Sequence, residues 1–489
     1  MLKMTERPVQ RESVGPNTQH AAYSEKEAAS METDNRTLLF EKLPVHRAVC
    51  RQIIPAIASQ MIALIYNLAD TYFVGMLDDP AQTAAVTVVY ASFVMLTAVS
   101  NLFGVGGGSM VARALGKKEL REAKQISSIS FWGGLFCAGL FSGLFLLFEH
   151  PLLVLCGARE GVYPFAVQYA KWVVVIGGPF TILNTLLANL VRAEGSAVGA
   201  FAGVSIGGLL NIALDPLFVL PQFLGMGSKG AGIATAISNM AAVLYFIIYL
   251  ARRRGATVIC IDPRALSHTK EHLRGILAVG FPSAMQYALT VVAIAAQSRF
   301  VSKYATEAIA ALGIVKKLDQ LPLYFSIGVS NGLLPLLAYS HSSGNQTRRR
   351  QAFRFGCSIS LGFSLLCFVG YEIFAPQLSA LFIDNALTVR YSTAFLRIMV
   401  TAMPMMSVCY PCIIQFQAMG RTREALIASV LRKGVLDIPL LFLMDALFPL
   451  YGCMWVQPIV DTVSLGVATG LYLNIQKHDR IEAAVPLHI

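Results

Sequence analysis

The chain has 489 residues, of which 55% are hydrophobic and 14% charged, and its mean hydropathy is +0.59. Soluble domains filling that length would carry about a quarter charged residues, so the composition excludes a water-soluble protein and points to repeated membrane crossings. The net charge of +11 does not indicate a nucleic-acid binder, because the Lys and Arg punctuate apolar runs instead of gathering on one basic face.

Residues 1–43 are polar and acid-containing, with no apolar h-region, and so are not a secretory signal. They are expected to form a mobile cytoplasmic tail. Apolar runs then predict twelve spans, at 50–76, 84–110, 126–148, 163–189, 196–220, 230–251, 275–300, 308–339, 354–375, 391–417, 424–447 and 451–474. The expected fold is an all-α polytopic membrane protein with a six-helix lobe over 44–251, a cytoplasmic linker over 252–274, a second six-helix lobe over 275–475 and a short cytoplasmic tail over 476–489.

Basic residues mark alternate connections. Arg113, Lys117, Lys118, Arg121 and Lys124 follow the second span, Arg252, Arg253, Arg254, Arg264, Lys270 and Arg274 the sixth, Arg348, Arg349, Arg350 and Arg354 the eighth, and Lys477 and Arg480 the last. The positive-inside rule places these connections and both termini in the cytoplasm. Sliding the chain along itself relates its halves: Gly104 falls on Gly328, Pro55 on Pro282, Gly195 on Gly420 and Asp215 on Asp437, with shifts of 224, 227, 225 and 222. Two parallel six-helix repeats predict lobes related by an axis along the membrane normal, with a cavity between them.

No enzyme signature survives inspection. Gly203-Val204-Ser205-Ile206-Gly207 and Gly328-Val329-Ser330-Asn331-Gly332 read G-x-S-x-G, but a nucleophile elbow needs a strand-to-helix turn and both lie inside apolar spans. Small residues four apart there, as at Gly139/Gly143 and Gly466/Gly470, are expected to let helices pack closely. H-E-x-x-H, P-loop and dinucleotide fingerprints are absent from the sequence. Most cysteines lie within apolar runs, so Cys409-x-x-Cys412 reads as packing and not as a redox pair.

Carboxylates at membrane depth are costly in hydrocarbon and usually line a cavity or a cation path. Asp70 stands near the outer third of the first span. Asp215 stands toward the outer end of the fifth, one turn after Asn211 and next to Pro216, so Asn211 and Asp215 share a helix face.

The segments Leu68-Ala69-Asp70-Thr71-Tyr72-Phe73-Val74-Gly75, Ala114-Leu115-Gly116-Lys117-Lys118, Arg192-Ala193-Glu194-Gly195 and Asn211-Ile212-Ala213-Leu214-Asp215-Pro216-Leu217-Phe218 resemble hallmarks of the MATE family of multidrug and toxic compound extrusion transporters. The resemblance covers about 47–475 and is nearest to the bacterial branch with an N-lobe cation site. It implies a V-shaped drug antiporter in the bacterial inner membrane, opening alternately to each side, functional as a monomer and without a cofactor. Its coupling ion would be H+ or Na+, held by Asp70 and Asp215 with Asn211, Thr235 and either Asn184 or Asn189, around a helix bend at Pro55. Its cargo would be amphipathic drugs or organic cations. The seventh and tenth spans offer Gln286, Gln297, Gln415 and Gln417 but no carboxylate, so a second cation site in the C-terminal lobe is not expected.

That lobe has other charges: Lys316, Lys317 and Asp319 in the eighth span, and Arg432, Lys433 and Asp437 in the eleventh. Lys433 occupies the repeat position of Asn211, and Lys433 and Asp437 are spaced to pair along one helix. Met399, Met403, Met405, Met406 and Met419 crowd the tenth span, where flexible thioethers could either pack or line a wall accepting varied ligands. Tyr66, Gln286, Met403, Met406, Lys317, Asp319, Arg432 and Asp437 are the cavity-lining candidates. An alternative reading of the basic residues is a flippase for a lipid-linked precursor.

Overall fold

The computed structural model describes residues 35–77, 79–266 and 269–484. Twelve spans follow in chain order among these residues. Nine are single helices: α1 Val45–Gly75, α2 Pro80–Gly116, α3 Leu120–Leu147, α5 Ala197–Val219, α6 Gly227–Arg252, α7 Thr269–Val301, α8 Thr306–Ser342, α9 Gln346–Ala380 and α12 Gly452–Ala484. Two are bent, α4 (Tyr163–Ile176 and Gly178–Ala193) by 44° and α10 (Ala386–Val400 and Met403–Ala418) by 46°. The eleventh, α11, is broken into Thr422–Val430 and Asp437–Leu447.

Local chemistry sets these boundaries. Asp79 caps α2, its carboxylate accepting from the Ala81 N–H at 3.0 Å and from Gln82 Nε2 at 3.0 Å, with Pro80 in the first turn. The Gln82 hydrogen bond is the main reason that the Asp79 carboxyl lies below its ordinary value. Asn345 and Asn385 cap α9 and α10 in the same manner. Gly195 (φ +100°) ends α4 and Gly420 (φ +72°) ends α10, left-handed conformations that exclude most side chains at both repeat-related ends. The two bends are also equivalent, since Pro179 and Pro404 just past them are related by 404 − 179 = 225, the shift that relates Gly195 to Gly420.

The core is one body at the end bearing the basic connections and two bodies at the other. At the basic end a single apolar cluster runs through both lobes, from Val49 and Phe103 to Leu333 and Phe416. Toward the far end each lobe has its own cluster, around Leu96, Phe145 and Val174 in one and around Phe300, Phe395 and Val460 in the other. The lobes therefore join at the basic end and part at the far end, which is the V shape.

Glycine makes the joint possible. A Cβ on Gly280 of α7 would stand 1.8 Å from the Leu102 carbonyl oxygen of α2, and one on Gly106 would stand 2.2 Å from the Ile276 carbonyl oxygen. The repeat-related crossing brings Gly328 and Gly332 of α8 against the backbone of Ile57 and Ile53 in α1. Ser109 of α2 closes the joint by donating to the Gln417 carbonyl of α10 at 2.8 Å.

Of four expectations, three need correction and one gains detail. The mobile tail expected over 1–43 is packed in its last part: Leu38–Lys42 forms a π-helical turn with Leu39 and Phe40 buried, while residues 1–34 lie outside the described residues. Phe40 stacks on Tyr339 with ring centroids 4.6 Å apart, the Tyr339 hydroxyl donates to Glu41 at 2.6 Å, Arg348 donates to the Leu39 and Leu43 carbonyls, and Arg36 donates to the Ala256 carbonyl. Second, the linker gains detail: Ser128 and Trp132 of α3 donate to the Asp262 and Ile261 carbonyls, and Glu194 accepts from Thr257 and Val258. Third, the final helix runs ten residues past its expected end at 474, to Ala484. Fourth, Gly139, Gly143, Gly466 and Gly470 have no neighbour within 4 Å of an added Cβ, so they do not mediate close packing, whereas Gly203 lies against the Phe246 ring.

Candidate functional site

Asp70 lies five residues before the far end of α1 and is 9% exposed, and Asp215 lies four residues before the far end of α5 and is fully buried. The two carboxylates are close enough to interact electrostatically. Asp70 Oδ2 accepts from the Tyr169 hydroxyl of α4 at 3.1 Å. Helical spacing brings Asn211 Nδ2 to Asp215 Oδ1 at 3.2 Å, and the same amide lies 3.4 Å from Thr235 Oγ1 of α6. Asn239, one turn after Thr235, donates to the Thr235 carbonyl at 3.0 Å and accepts from Asn184 Nδ2 at 2.9 Å. The network thus joins four helices of one lobe.

The structure separates the two α4 asparagines. Asn184 belongs to this network, whereas Asn189 sits nearer the basic end and accepts from Arg192 at 2.9 Å. Tyr169 and Asn239 carried no signal of their own in the sequence, although Asn239 could have been found as the i+4 neighbour of Thr235. Pro55 lies well inside α1, which continues through it, and its carbonyl accepts from Ser59 at 2.9 Å.

Oxygen donors dominate the chemistry. Asp70 Oδ1, Asp215 Oδ2, Asn211 Oδ1 and Asn184 Oδ1 are buried and accept no hydrogen bond. Each such atom costs about 1–3 kcal/mol unless it gains a partner. A proton on either carboxyl supplies a donor, and a hard cation such as Na+ finds ligands of the preferred type. These residues therefore fit either ion.

Between the lobes, Tyr66 of α1 and Tyr90 of α2 lie within electrostatic reach of Tyr324 of α8, as do Tyr287 of α7 and Tyr410 of α10. All five are partly exposed, so rings from both lobes face the space between them. The other cavity candidates divide. Met403 and Met406 are 1% and 3% exposed and belong to the packed interior, with Met399 beside them in the core; Gln286 is buried as well. Lys317 is exposed and Asp319 half-buried.

The pairing expected along α11 does not form. Lys433 (φ −138°, ψ 107°) and Gly434 (φ 127°, ψ −67°) leave the helix, so the i, i+4 geometry between Lys433 and Asp437 is lost. Asp437 accepts from the Gly434 N–H at 2.7 Å, and Lys433 donates to Gln457 of α12 at 2.6 Å. Arg432 pairs with Asp461 of α12 at 3.0 Å, both side chains being 1% exposed. Asp461 was missed although, as the one carboxylate in the 451–474 span, it met the same depth criterion that singled out Asp70 and Asp215. Arg432→Leu is expected to lower stability by about 3–5 kcal/mol by stranding the Asp461 charge, and Arg432→Met with Asp461→Leu to recover most of that loss. Unfolding midpoints in detergent check this, and a wild-type midpoint for Arg432→Leu would refute the pairing.

The MatE family model matches residues 55–217 and 282–443, one match in each lobe. The chain is 30% identical over 431 residues to the multidrug export protein MepA of Staphylococcus aureus strain MRSA252, covering 88% of this chain and 94% of that protein. A protein of the same name from Staphylococcus saprophyticus is 30% identical over 430 residues, with the same coverage. Among solved structures, a MOP superfamily transporter from Pyrococcus furiosus superposes with a TM-score of 0.83 at 23% identity, covering 90% of this chain and 97% of that one. An outward-facing multidrug resistance MATE family transporter superposes with a TM-score of 0.82 at 24% identity, covering 91% and 98%. The structural likenesses establish the fold.

Proposed function

Because the chain belongs to the MatE family, we propose that it acts as a secondary active multidrug exporter in which H+ or Na+ entering at Asp70 and Asp215 drives amphipathic drugs or organic cations outward. It is a multi-pass membrane transporter and not an enzyme. The observation that carries the coupling is the pair of buried carboxylates, each with one unsatisfied oxygen, in a single network beside the cleft. The MepA relatives, named as multidrug exporters, support the choice of cargo.

With the basic end in the bacterial cytoplasm, the cleft is closed inward and open outward, the arrangement in which an ion loads from outside. One proton gains about 2.3 kcal/mol per 100 mV of potential and about 1.4 kcal/mol per tenfold of gradient. At 100 mV and tenfold, those terms sustain about a 500-fold gradient of a neutral substrate. Ion and drug must favour opposite openings, since a ligand binding both equally shifts neither. The five tyrosines suit a flat cationic amphiphile, each well-placed ring contributing about 0.5–2 kcal/mol.

The test is ethidium transport in inverted vesicles containing the purified protein, under proton and sodium gradients imposed separately. Uphill dye movement under one gradient names the coupling ion. No uphill movement under either gradient would overturn antiport.

A further inference from the structure

The repeat carries the ion network into the other lobe in altered form. The shift of 227 that relates Pro55 to Pro282 takes Asp70 to Gln297 of α7, and the shift of 222 that relates Asp215 to Asp437 takes Asn211 to Lys433 of α11. The same 222 takes Thr235 and Asn239 of α6 to Gln457 and Asp461 of α12. The structure brings these images together, for Gln297, Lys433, Asp437 and Gln457 line one pocket with Lys316 of α8. The contacts recur as well. Asn211 reaches the Thr235 hydroxyl at 3.4 Å in one lobe, and Lys433 donates to Gln457 at 2.6 Å in the other. One turn on, Asn239 donates to the Thr235 carbonyl at 3.0 Å, and Gln457 donates to Asp461 at 2.6 Å. Lobes related by an axis along the membrane normal hold such images at one depth.

What differs is the charge. In the N-terminal lobe two carboxylates face one another, and among the described residues no basic side chain acts on either, so that network needs a cation from outside. In the C-terminal lobe Lys316 feels Lys433, Asp319, Asp437 and Asp461, and Asp319 feels Arg432 as well. Three bases and three acids therefore share one neighbourhood and cancel with no added ion. The chain supplies the charge itself: Asp70 is replaced by the neutral Gln297, and the amide of Asn211 by the ammonium of Lys433. The break in α11 delivers that ammonium. Where Asn211 and Asp215 hold each other along an intact helix, the chain unwinds at Lys433 and Gly434, and the Lys433 side chain reaches α12.

We propose that the Lys433 ammonium is a tethered cation standing where the N-terminal lobe takes up its mobile ion, so that the C-terminal site is permanently filled and each cycle carries ions through one lobe only. An ammonium suits that place because, like an alkali ion, it is a compact single positive charge that takes oxygen partners. Beside it the pocket leaves room for a water and not for a drug. The assignment goes beyond the export reading and borrows from it only the ionic role of the Asp70 network.

The experiment measures radioactive sodium bound to the purified full-length protein by equilibrium dialysis, with Asp70→Asn and Asp215→Asn in every sample so that only the C-terminal lobe can respond. With Lys433 in place, this parent is expected to bind no sodium above background. Adding Lys433→Asn and Gln297→Asp, which rebuilds the N-terminal set of donors, should raise bound sodium at least tenfold over the parent. Lys433→Gln alone, which keeps the length and the reach to Gln457, should raise it by less, and Lys433→Arg, which keeps the charge, should not raise it. Elution profiles report folding, and Lys433→Gln decides the matter where the paired change does not fold. Saturable sodium binding by the parent would reveal an exchangeable ion beside Lys433 and overturn the assignment. Folded Lys433→Asn/Gln297→Asp or Lys433→Gln protein that binds no more sodium than the parent would overturn it equally. Dye export by the protein with Asp70 and Asp215 intact tests the export reading separately, and its failure would leave the sodium result at Lys433 standing.

Discussion

Asp70→Asn and Asp215→Asn are each expected to bring gradient-driven dye export to the level of protein-free vesicles while leaving the protein folded. Asparagine nearly matches the shape of aspartate but cannot exchange a proton or carry the charge that attracts Na+. The loss is therefore the whole coupling, about 3.7 kcal/mol at 100 mV and a tenfold gradient, and not a fraction of it. At Asp70 the Tyr169 hydroxyl still finds an amide oxygen to donate to, so packing around the 3.1 Å contact survives. Tyr169→Phe, which deletes that donor and keeps the charge, is expected to cost about 1 kcal/mol and so roughly fivefold in export. Vesicle assays at matched protein content, with elution profiles to report folding, decide the matter; near-normal uphill export by Asp70→Asn would remove the carboxylate from the mechanism.

Gly280→Val is expected to shift the protein away from closure at the basic end and to abolish export. The clash is with backbone, since the first added carbon would lie 1.8 Å from the Leu102 carbonyl oxygen, and neither helix has a flexible side chain there to move aside. Overpacking typically costs about 1–3 kcal/mol, enough to change a closed-to-open ratio by about five- to 150-fold. Gly139→Val is the control, having open space around it. A cysteine at Ser109, buried in the joint and bonded to Gln417, reports closure through its reaction with an impermeant thiol reagent in a cysteine-free background. Unchanged labelling and export in Gly280→Val would show that the joint tolerates separation or that it never opens.

Much of the architecture was legible because hydrocarbon thickness dictates span length and basic residues mark alternate connections. The repeat was legible for a similar reason: Gly195 and Gly420 are tied to left-handed turns that few other residues can make. Asp70 and Asp215 stood out because carboxylates at depth are costly, Asn211 by its spacing to Asp215 and Thr235 only through the family resemblance, and the structure brings all four into one neighbourhood. Partnerships across helices were not legible. Tyr169 reaches Asp70 from the far segment of bent α4, and Asp461 reaches Arg432 from the next helix, so neither contact leaves a periodic trace. The methionines of α10 could not be divided between wall and core without the bend, and the break at Gly434 read as ordinary helix because a single glycine is tolerated within a helical pattern.

The packed segment at residues 35–43 gives the cycle a kinetic property. It holds Tyr339 and Arg348 of one lobe while Arg36 reaches the linker segment that rests on the other. Opening at that end has to release some of these bonds, yet the segment stays covalently joined to α1 by Leu43 and Pro44. A tether that short keeps its effective concentration at its seat in the millimolar range. Reclosure after each turnover is therefore unimolecular, and its rate does not depend on how densely the protein fills the membrane.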